Sequence, residues 1–174
     1  MSAQRRHKEY PSVERIRELL SYDPDTGVFH WKPRRDRCPM PAGALAGWAN
    51  SLGYLHISIG NKKYLGHRLA WKYFYGVDAP DQIDHINNDP SDNSIRNLRI
   101  SNQSQNLANR RRKSNTKYPK GVSRVGRDGK EKYAVHAGLN GKSLYVGTFA
   151  SQEEASAAYL AKAKEIHGEF ANAG

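Results

Sequence analysis

The pattern of residues 121–168 constrains the fold most, because three short segments of strand-forming residues are followed there by one amphipathic segment. Ser151 and Glu154 have the spacing of a helix capping box, and Gly168 is placed to end the helix that begins there. Since a three-stranded sheet needs a partner on one face, we expect this helix to cover it. The predicted strands are 121–125, 132–137 and 142–149, the predicted turns are 127–129 and 140–141, and the predicted buried stripe of the helix is Ala155, Ala158, Tyr159 and Ile166.

Residues 11–112 are also built from short segments with turn-forming residues between them. Their spacing predicts an α+β fold with an N-terminal mixed α/β region. A polar stretch at 113–119 is interpreted as a basic linker, which divides the chain into an N-terminal domain, 1–112, and a C-terminal domain, 120–174. The predicted helices are 13–20, 67–75 and 102–111, the last capped by Ser101, and the predicted strands are 28–31, 53–59, 62–65 and short segments at Ile83 and 98–100.

The charge balance favours a polyanionic partner. The chain has 28 Lys and Arg against 17 Asp and Glu, which gives a formal net charge of +11. Net charge alone is equally typical of a basic soluble protein. The distribution is more specific, because residues 110–127 contain eight cations and no acid, whereas a solvated helix face interleaves the two signs. Nucleic acid is therefore the expected partner, since neutralising phosphates releases condensed counterions.

Nothing in the sequence predicts a membrane span or a secretory signal. No apolar run approaches the roughly 20 residues that a span needs, and residues 1–10 are polar and basic. The one cysteine, Cys38, can form neither an internal disulfide nor a thiolate zinc cage. We therefore expect a cytoplasmic protein without a targeting segment.

Four polar residues around a turn-rich loop are the candidates for chemistry: Asp84, His85, Asn97 and Asn106. Cleaving a phosphodiester needs a cation to neutralise developing charge, a base to deprotonate water and a group that orients the base. Magnesium prefers oxygen ligands, which Asp84 and Asn106 offer, and His85 titrates near neutrality and suits the base. Taken singly, each residue has an ordinary structural explanation, and only the combination predicts a site. Because neighbouring strand residues face opposite sides, a site shared by Asp84 and His85 requires the strand to end there.

The run 83–99, Ile-Asp-His-Ile-Asn-Asn-Asp-Pro-Ser-Asp-Asn-Ser-Ile-Arg-Asn-Leu-Arg, followed by Gln-Asn at 105–106, resembles the HNH motif of phage-type and intron-encoded homing endonucleases. The resemblance implies a ββα-metal fold over 83–111 that clamps one divalent ion, Mg²⁺ or Mn²⁺. The segment 67–71 also resembles one that these nucleases carry before the motif, and we interpret its histidine as a structural support. By resemblance, the metal ligands are Asp84 and Asn106, the general base is His85, and the residue that pins the loop and orients the base is Asn97.

The C-terminal segment resembles an AP2-type DNA-binding domain, through Lys-Gly-Val at 120–122, Tyr-Val-Gly-Thr-Phe at 145–149 and the helix from Glu153. That family lays the exposed face of a three-stranded sheet into the major groove, which is wide enough for a strand ribbon. Residues 110–120 would form a basic arm that follows phosphates. The expected DNA contacts are Arg99, Arg110, Arg111, Arg112, Lys113, Lys120, Arg124, Lys132, His136, Lys142 and Tyr145, and the expected core includes Tyr133, Val135 and Phe149.

Together the resemblances imply metal-dependent hydrolysis of double-stranded DNA in a bacterial or phage-infected host cytosol. One catalytic motif per chain favours a monomer that nicks one strand at a preferred site, in the manner of a homing enzyme, without an obligate protein partner. The family implies 5′-phosphate and 3′-hydroxyl ends. The alternative is a non-catalytic, sequence-specific DNA-binding regulator on a nuclease scaffold. An RNA-binding role is weaker, because no stacking-aromatic strand signature occurs.

Overall fold

The computed structural model describes residues 9–33, 41–111, 117–126 and 131–172. In these residues the chain forms helices and small antiparallel sheets, which confirms the predicted α+β class. None of the described helices is long and apolar enough to cross a bilayer. The elements in chain order are α1 (Val13–Leu19), β1 (Leu20–Tyr22), β2 (Phe29–Trp31), β3 (Trp48–Ala49), β4 (Leu55–Ile59), β5 (Lys62–Leu65), α2 (Gly66–Tyr75), β6 (Gln82–His85), β7 (Leu98–Ser101), α3 (Gln103–Asn109), β8 (Val122–Arg124), β9 (Tyr133–Leu139), β10 (Lys142–Phe149) and α4 (Gln152–His167).

The chain divides into two compact units, Met1–Ile100 and Ser101–Gly174. Helix α3 packs within the second unit, against α4 and β9. The predicted linker, 113–119, falls largely outside the described residues, so the functional division at that linker stays a prediction. Also outside the described residues lie Cys38, the predicted turn at 127–129, and the predicted DNA contacts Arg112 and Lys113.

The first unit is held by one apolar core. Ser12 caps α1 by accepting the Arg15 N–H at 3.2 Å. Strand β4 pairs with β5 around the predicted tight turn, and Ile57 lies opposite Tyr64 on the core side. Helix α2 follows β5 directly and ends at Gly76. The core contains Ile16, Leu19, Leu20, Tyr22, Phe29, Trp31, Ile57, Tyr64, Leu69, Ala70, Trp71, Ile83 and Leu98.

The last two strands of the first unit form the hairpin that carries the motif. Strand β6 pairs with β7 in a two-stranded sheet, and the Ile86 N–H donates to the Asn97 carbonyl at 2.9 Å. A short 3₁₀ turn, Ile95–Asn97, leads into β7. The loop between the strands is therefore closed at its base by backbone pairing.

The second unit has the predicted sheet-and-helix architecture. Its strand order is β8-β9-β10, and α4 covers one face with Ala155, Tyr159 and Ala163. Ser151 caps α4 by accepting the Glu154 N–H at 3.1 Å. The buried side of the sheet includes Val122, Tyr133, Val135 and Ala137, with Phe149 packed against them.

The predicted start of α3 is wrong by one position. Ser101 ends β7 and is buried, so it does not cap the helix. Asn102 is the cap: its side chain accepts the Gln105 N–H at 2.9 Å, and the Gln105 side chain accepts the Asn102 N–H at 2.9 Å. This reciprocal capping box is more favourable than a lone serine, because it satisfies two orphan donors. The helix also ends at Asn109, before the predicted end at 111.

Candidate active site

Strand β6 ends at His85, and its last two residues, Asp84 and His85, are buried, with 5% and 6% exposed. The chain turns at once, because the Asn88 N–H donates to the His85 carbonyl at 3.0 Å and Asn88 has a left-handed φ of 62°. Asparagine tolerates this conformation better than most residues. Strand β6 therefore ends at His85, which is the condition for the neighbouring side chains of Asp84 and His85 to serve one site.

Asn97 holds the loop 86–94 with its side chain. Its Oδ1 accepts the Asn87 N–H at 3.0 Å, and its Nδ2 donates to the Asn87 Oδ1 at 3.0 Å and to the Asp92 carbonyl at 2.9 Å. The residue is buried. These three hydrogen bonds from one buried amide fix the loop at Asn87 and at Asp92. None of the three reaches the imidazole of His85.

Asn93 is a polar partner of the imidazole that the sequence did not predict. His85 Nε2 lies 3.4 Å from Asn93 Oδ1. Asn93 is 1% exposed, and its carbonyl accepts the Tyr22 hydroxyl at 2.7 Å. A Cβ added at Gly27, whose φ is +75°, would stand 2.3 Å from the Ser94 nitrogen. The N-terminal turn after β1 thus packs closely on the segment that contacts His85.

Two rings lie against His85. The His67 ring centroid is 5.2 Å away at an interplanar angle of 85°, and the Tyr54 centroid is 6.0 Å away at 61°. Such edge-on arrangements suit the quadrupoles of aromatic rings. Tyr54 immediately precedes β4 and His67 lies in the first turn of α2, so both ends of the β4–β5 hairpin contact the imidazole.

Burial favours the neutral form of both imidazoles. Burial lowers the pKa of His85, against the opposing effects of the Asn93 bond and the Asp84 carboxylate. Burial, and then the proximity of His85, lowers the pKa of His67 to about 3. A neutral imidazole keeps one nitrogen able to accept a proton, which is the requirement for a general base.

Asp84 is ion-paired with Arg99 of β7. The Arg99 Nε donates to Asp84 Oδ2 at 3.0 Å, and Nη2 lies 2.9 Å from the same oxygen. Their side chains are 6% and 11% exposed. Arg99, expected among the DNA contacts, is therefore engaged with a carboxylate inside the first unit. Strands β6 and β7 are paired, and the sequence alone did not specify how they pair.

Asp84 and Asn106 lie in different compact units, so their shared metal site stays a prediction. Asn106 is partly buried in α3, and its N–H donates to the Asn102 carbonyl at 3.0 Å. A carboxylate and an amide are the oxygen donors that Mg²⁺ prefers, so the donor chemistry fits such an ion. Within the described part of the chain, no group of three or more His, Cys, Asp or Glu side chains is arranged to hold a metal.

Lys120, an expected DNA contact, caps the C-terminus of α3. Its Nζ donates to the carbonyls of Ala108 at 2.5 Å and Arg110 at 2.8 Å. A cation at this position also suits the helix dipole. Burial lowers the pKa of Lys120 to about 8. The neighbouring expected contacts Arg110 and Arg111 are exposed.

The open face of the β8–β10 sheet presents His136 and Tyr145. They lie opposite each other on β9 and β10, with ring centroids 5.4 Å apart, and Tyr145 is 62% exposed. Arg124 is paired with Glu131 at 3.0 Å and lies opposite the buried Tyr133. The other expected contacts of this sheet, Lys132 and Lys142, are exposed.

The comparison with known families agrees with this geometry. Residues 64–108 match a family model described as HNH endonuclease. The matched segment runs from β5 to α3 and contains Asp84, His85, Asn97 and Asn106. No curated protein and no solved structure matches the chain. The match supports a nuclease, and it lies where the buried carboxylate and imidazole were found.

Proposed function

We propose that the chain is a metal-dependent DNA endonuclease in which His85 is the general base. The observation that carries the proposal is a buried imidazole, whose neutral form burial favours, next in sequence to a buried carboxylate, at the start of a loop that Asn97 fixes. The HNH endonuclease match over 64–108 supports it. The net charge of +11 favours DNA as the partner.

The protonation of His85 follows from its neighbour. The Asn93 Nδ2 donates to the Ser91 carbonyl at 3.1 Å, which turns its Oδ1 toward His85 Nε2. An amide oxygen accepts, so this contact favours the tautomer that carries the proton on Nε2 and leaves Nδ1 as the basic nitrogen. His85 then takes the proton of the attacking water at Nδ1.

Asp84 and Asn106 would hold one Mg²⁺ or Mn²⁺ ion. Such an ion, when bound, supplies positive charge to the scissile phosphate and to the leaving oxygen. Asn97 acts through the loop, and it keeps the peptide that carries His85 in place. The protein would act as a monomeric, homing-type nickase with a preferred site, leaving 5′-phosphate and 3′-hydroxyl ends, since the chain has one such motif.

The second unit would supply recognition. Its three-stranded sheet, covered by α4 on one face, suits an AP2-type module that lays its open face into the major groove. His136 and Tyr145 on that face combine an imidazole with an exposed aromatic ring. Arg110 and Arg111 would contact phosphates.

A second candidate function is a non-catalytic DNA-binding regulator on a nuclease scaffold. It is favoured by one observation, the ion pair of Arg99 with Asp84, which already balances the carboxylate charge. Such a protein would bind DNA through the same basic residues without cutting it.

Supercoiled plasmid separates the two candidates. We expect the wild-type protein to give nicked circles with Mg²⁺ and none with EDTA, and we expect Asp84→Asn to lose nicking. His30→Ala, in β2, is the control and should nick as the wild type does. Plasmid that is bound but uncut in Mg²⁺ would support the regulator, and cutting in EDTA would contradict a metal-dependent nuclease.

A further inference from the structure

We propose that Arg99 is a positioning residue for Asp84: it holds the carboxylate by Oδ2 and so fixes the orientation in which Asp84 would meet an ion. The inference rests on the proposed function, because it concerns the residue proposed to hold the metal. It replaces a DNA contact, the role expected of Arg99, with a role inside the site.

The contact geometry supports orientation. Two nitrogens of the Arg99 guanidinium lie close to the same oxygen of Asp84, Oδ2: Nε at 3.0 Å and Nη2 at 2.9 Å. Nε makes the directional hydrogen bond to Oδ2, and the planar, rigid guanidinium holds Nη2 within ion-pair distance of the same oxygen. A lysine at the same place would supply the charge without this directional hold.

Burial supports the same role. With side-chain exposures of 11% for Arg99 and 6% for Asp84, each charge needs the other, because a buried charge without a partner is strongly destabilising. The pair keeps the carboxylate oriented before any ion arrives.

The β6–β7 hairpin therefore orients both the imidazole of His85 and the carboxylate of Asp84. The loop between β6 and β7 is tied by Asn97, which fixes the segment next to His85. Arg99 follows Asn97 on β7 and holds Asp84 across the strand pair. The same pairing of two short strands therefore sets the position of the base and of the proposed ligand.

The test separates a positioning role from a phosphate contact. Arg99→Lys, Arg99→Gln and, as the matched control, Arg96→Gln are made in a His85→Ala background, so that bound DNA stays intact. Arg96 is exposed and lies in the same hairpin. Mn²⁺ binding to the complex with a 40-base-pair duplex is measured by electron paramagnetic resonance, and duplex affinity is measured by anisotropy from about 50 to 200 mM salt.

We expect Arg99→Lys and Arg99→Gln to weaken Mn²⁺ binding by about 10- to 100-fold, the usual cost of losing a residue that orients a ligand. Duplex affinity and its salt dependence should not change. Arg96→Gln should leave Mn²⁺ binding unchanged. With His85 restored, Arg99→Lys should lower the nicking rate at saturating DNA by a similar factor.

Two outcomes would overturn the inference. If the Arg99 variants weaken duplex affinity and reduce its salt slope by about one while Mn²⁺ binding stays intact, Arg99 is a phosphate contact. If Arg99→Lys changes nothing, the fork has no positioning role. Tryptophan fluorescence on heating checks that each variant is folded. If Arg99→Gln does not fold, Arg99→Lys still provides the test.

The proposed function can fail separately. Asp84→Asn with wild-type Mn²⁺ affinity would contradict Asp84 as a ligand, and with it the metal site. A wild-type protein that does not nick DNA, but whose Mn²⁺ binding depends on Asp84 and Arg99, would contradict the nuclease and leave the positioning role standing.

Discussion

The loop after β6 and the sheet of the second unit both carry polar side chains that we expect near DNA, yet the two regions hold them differently. In the loop, Asn93 and Asn97 are buried and bonded to their surroundings. On the sheet, Tyr145 is 62% exposed. Chemistry needs groups that cannot move, whereas recognition needs groups that a partner can reach. Changes in the loop should therefore alter stability and rate, and changes on the sheet should alter binding.

Gly27→Ala is expected to have the largest effect on stability, because a Cβ would meet the Ser94 backbone and φ is +75°. We expect a loss of about 3 kcal/mol, from about 1–2 for the left-handed conformation and the rest for overpacking. Gly43→Ala is the control. The φ of Gly43 is +81°, but an added Cβ would have no atom within 4 Å, so this variant should lose only about 1 kcal/mol of stability.

Urea unfolding followed by tryptophan fluorescence makes this comparison. The three tryptophans, Trp31, Trp48 and Trp71, all lie in the first unit, so the signal reports that unit alone. Equal losses in the two glycine variants would show that the turn does not press on Ser94, and would contradict the loop as a rigid element.

Asn97→Ala should cost about 2 kcal/mol, because it leaves buried loop groups without their partner. The same variant should lower the nicking rate while duplex affinity stays constant, since Asn97 reaches the loop and not the sheet. Measured rates and affinities together test the separation of the two regions. An Asn97→Ala protein that binds the duplex more weakly but nicks at an unchanged rate would contradict this separation.

Tyr145→Ala should weaken duplex binding by about tenfold, the scale of one lost aromatic contact. Its nicking rate at saturating DNA should equal that of the wild type. Lys164→Gln, which removes an exposed charge from the last turn of α4, is the control and should weaken binding less. Anisotropy titrations measure both, and equal losses would show that only net charge matters.

Lys120→Met should have the smallest effect, about 1 kcal/mol for the lost cap of α3. The pH dependence is more diagnostic. Burial lowers the pKa of Lys120 to about 8 from its ordinary value of 10.5, so between these values the unfolded chain binds more protons and stability rises with pH. Lys120→Met should lose that rise. Far-UV circular dichroism on heating at pH 7.5 and 9.5 measures it, with the tryptophan signal of the first unit as reference.

Local signals in the sequence predicted local features well. The cap at Ser12, the end of α2 at Gly76 and the β4–β5 hairpin each depend on residues within a few positions of one another. The α+β class follows from the same signals. The candidate residues Asp84, His85 and Asn97 were also found locally, because they flank one turn-rich loop.

What the sequence could not predict depends on pairing between distant segments. The bond from Tyr22 to Asn93 joins residues far apart in the chain, and no periodicity reports it. The ion pair of Asp84 with Arg99 requires the register of β6 and β7. The capping error at Ser101 has the same origin, because only the extent of β7 decides whether Ser101 or Asn102 starts α3.

The most direct test of the account is the nicking rate of His85→Ala at saturating DNA and Mg²⁺, with duplex affinity measured in parallel. A general base contributes about 10²- to 10⁴-fold, so we predict a fall of that size with affinity within about twofold of the wild type. His30→Ala should match the wild type in both. A His85→Ala protein that nicks at the wild-type rate would contradict the account.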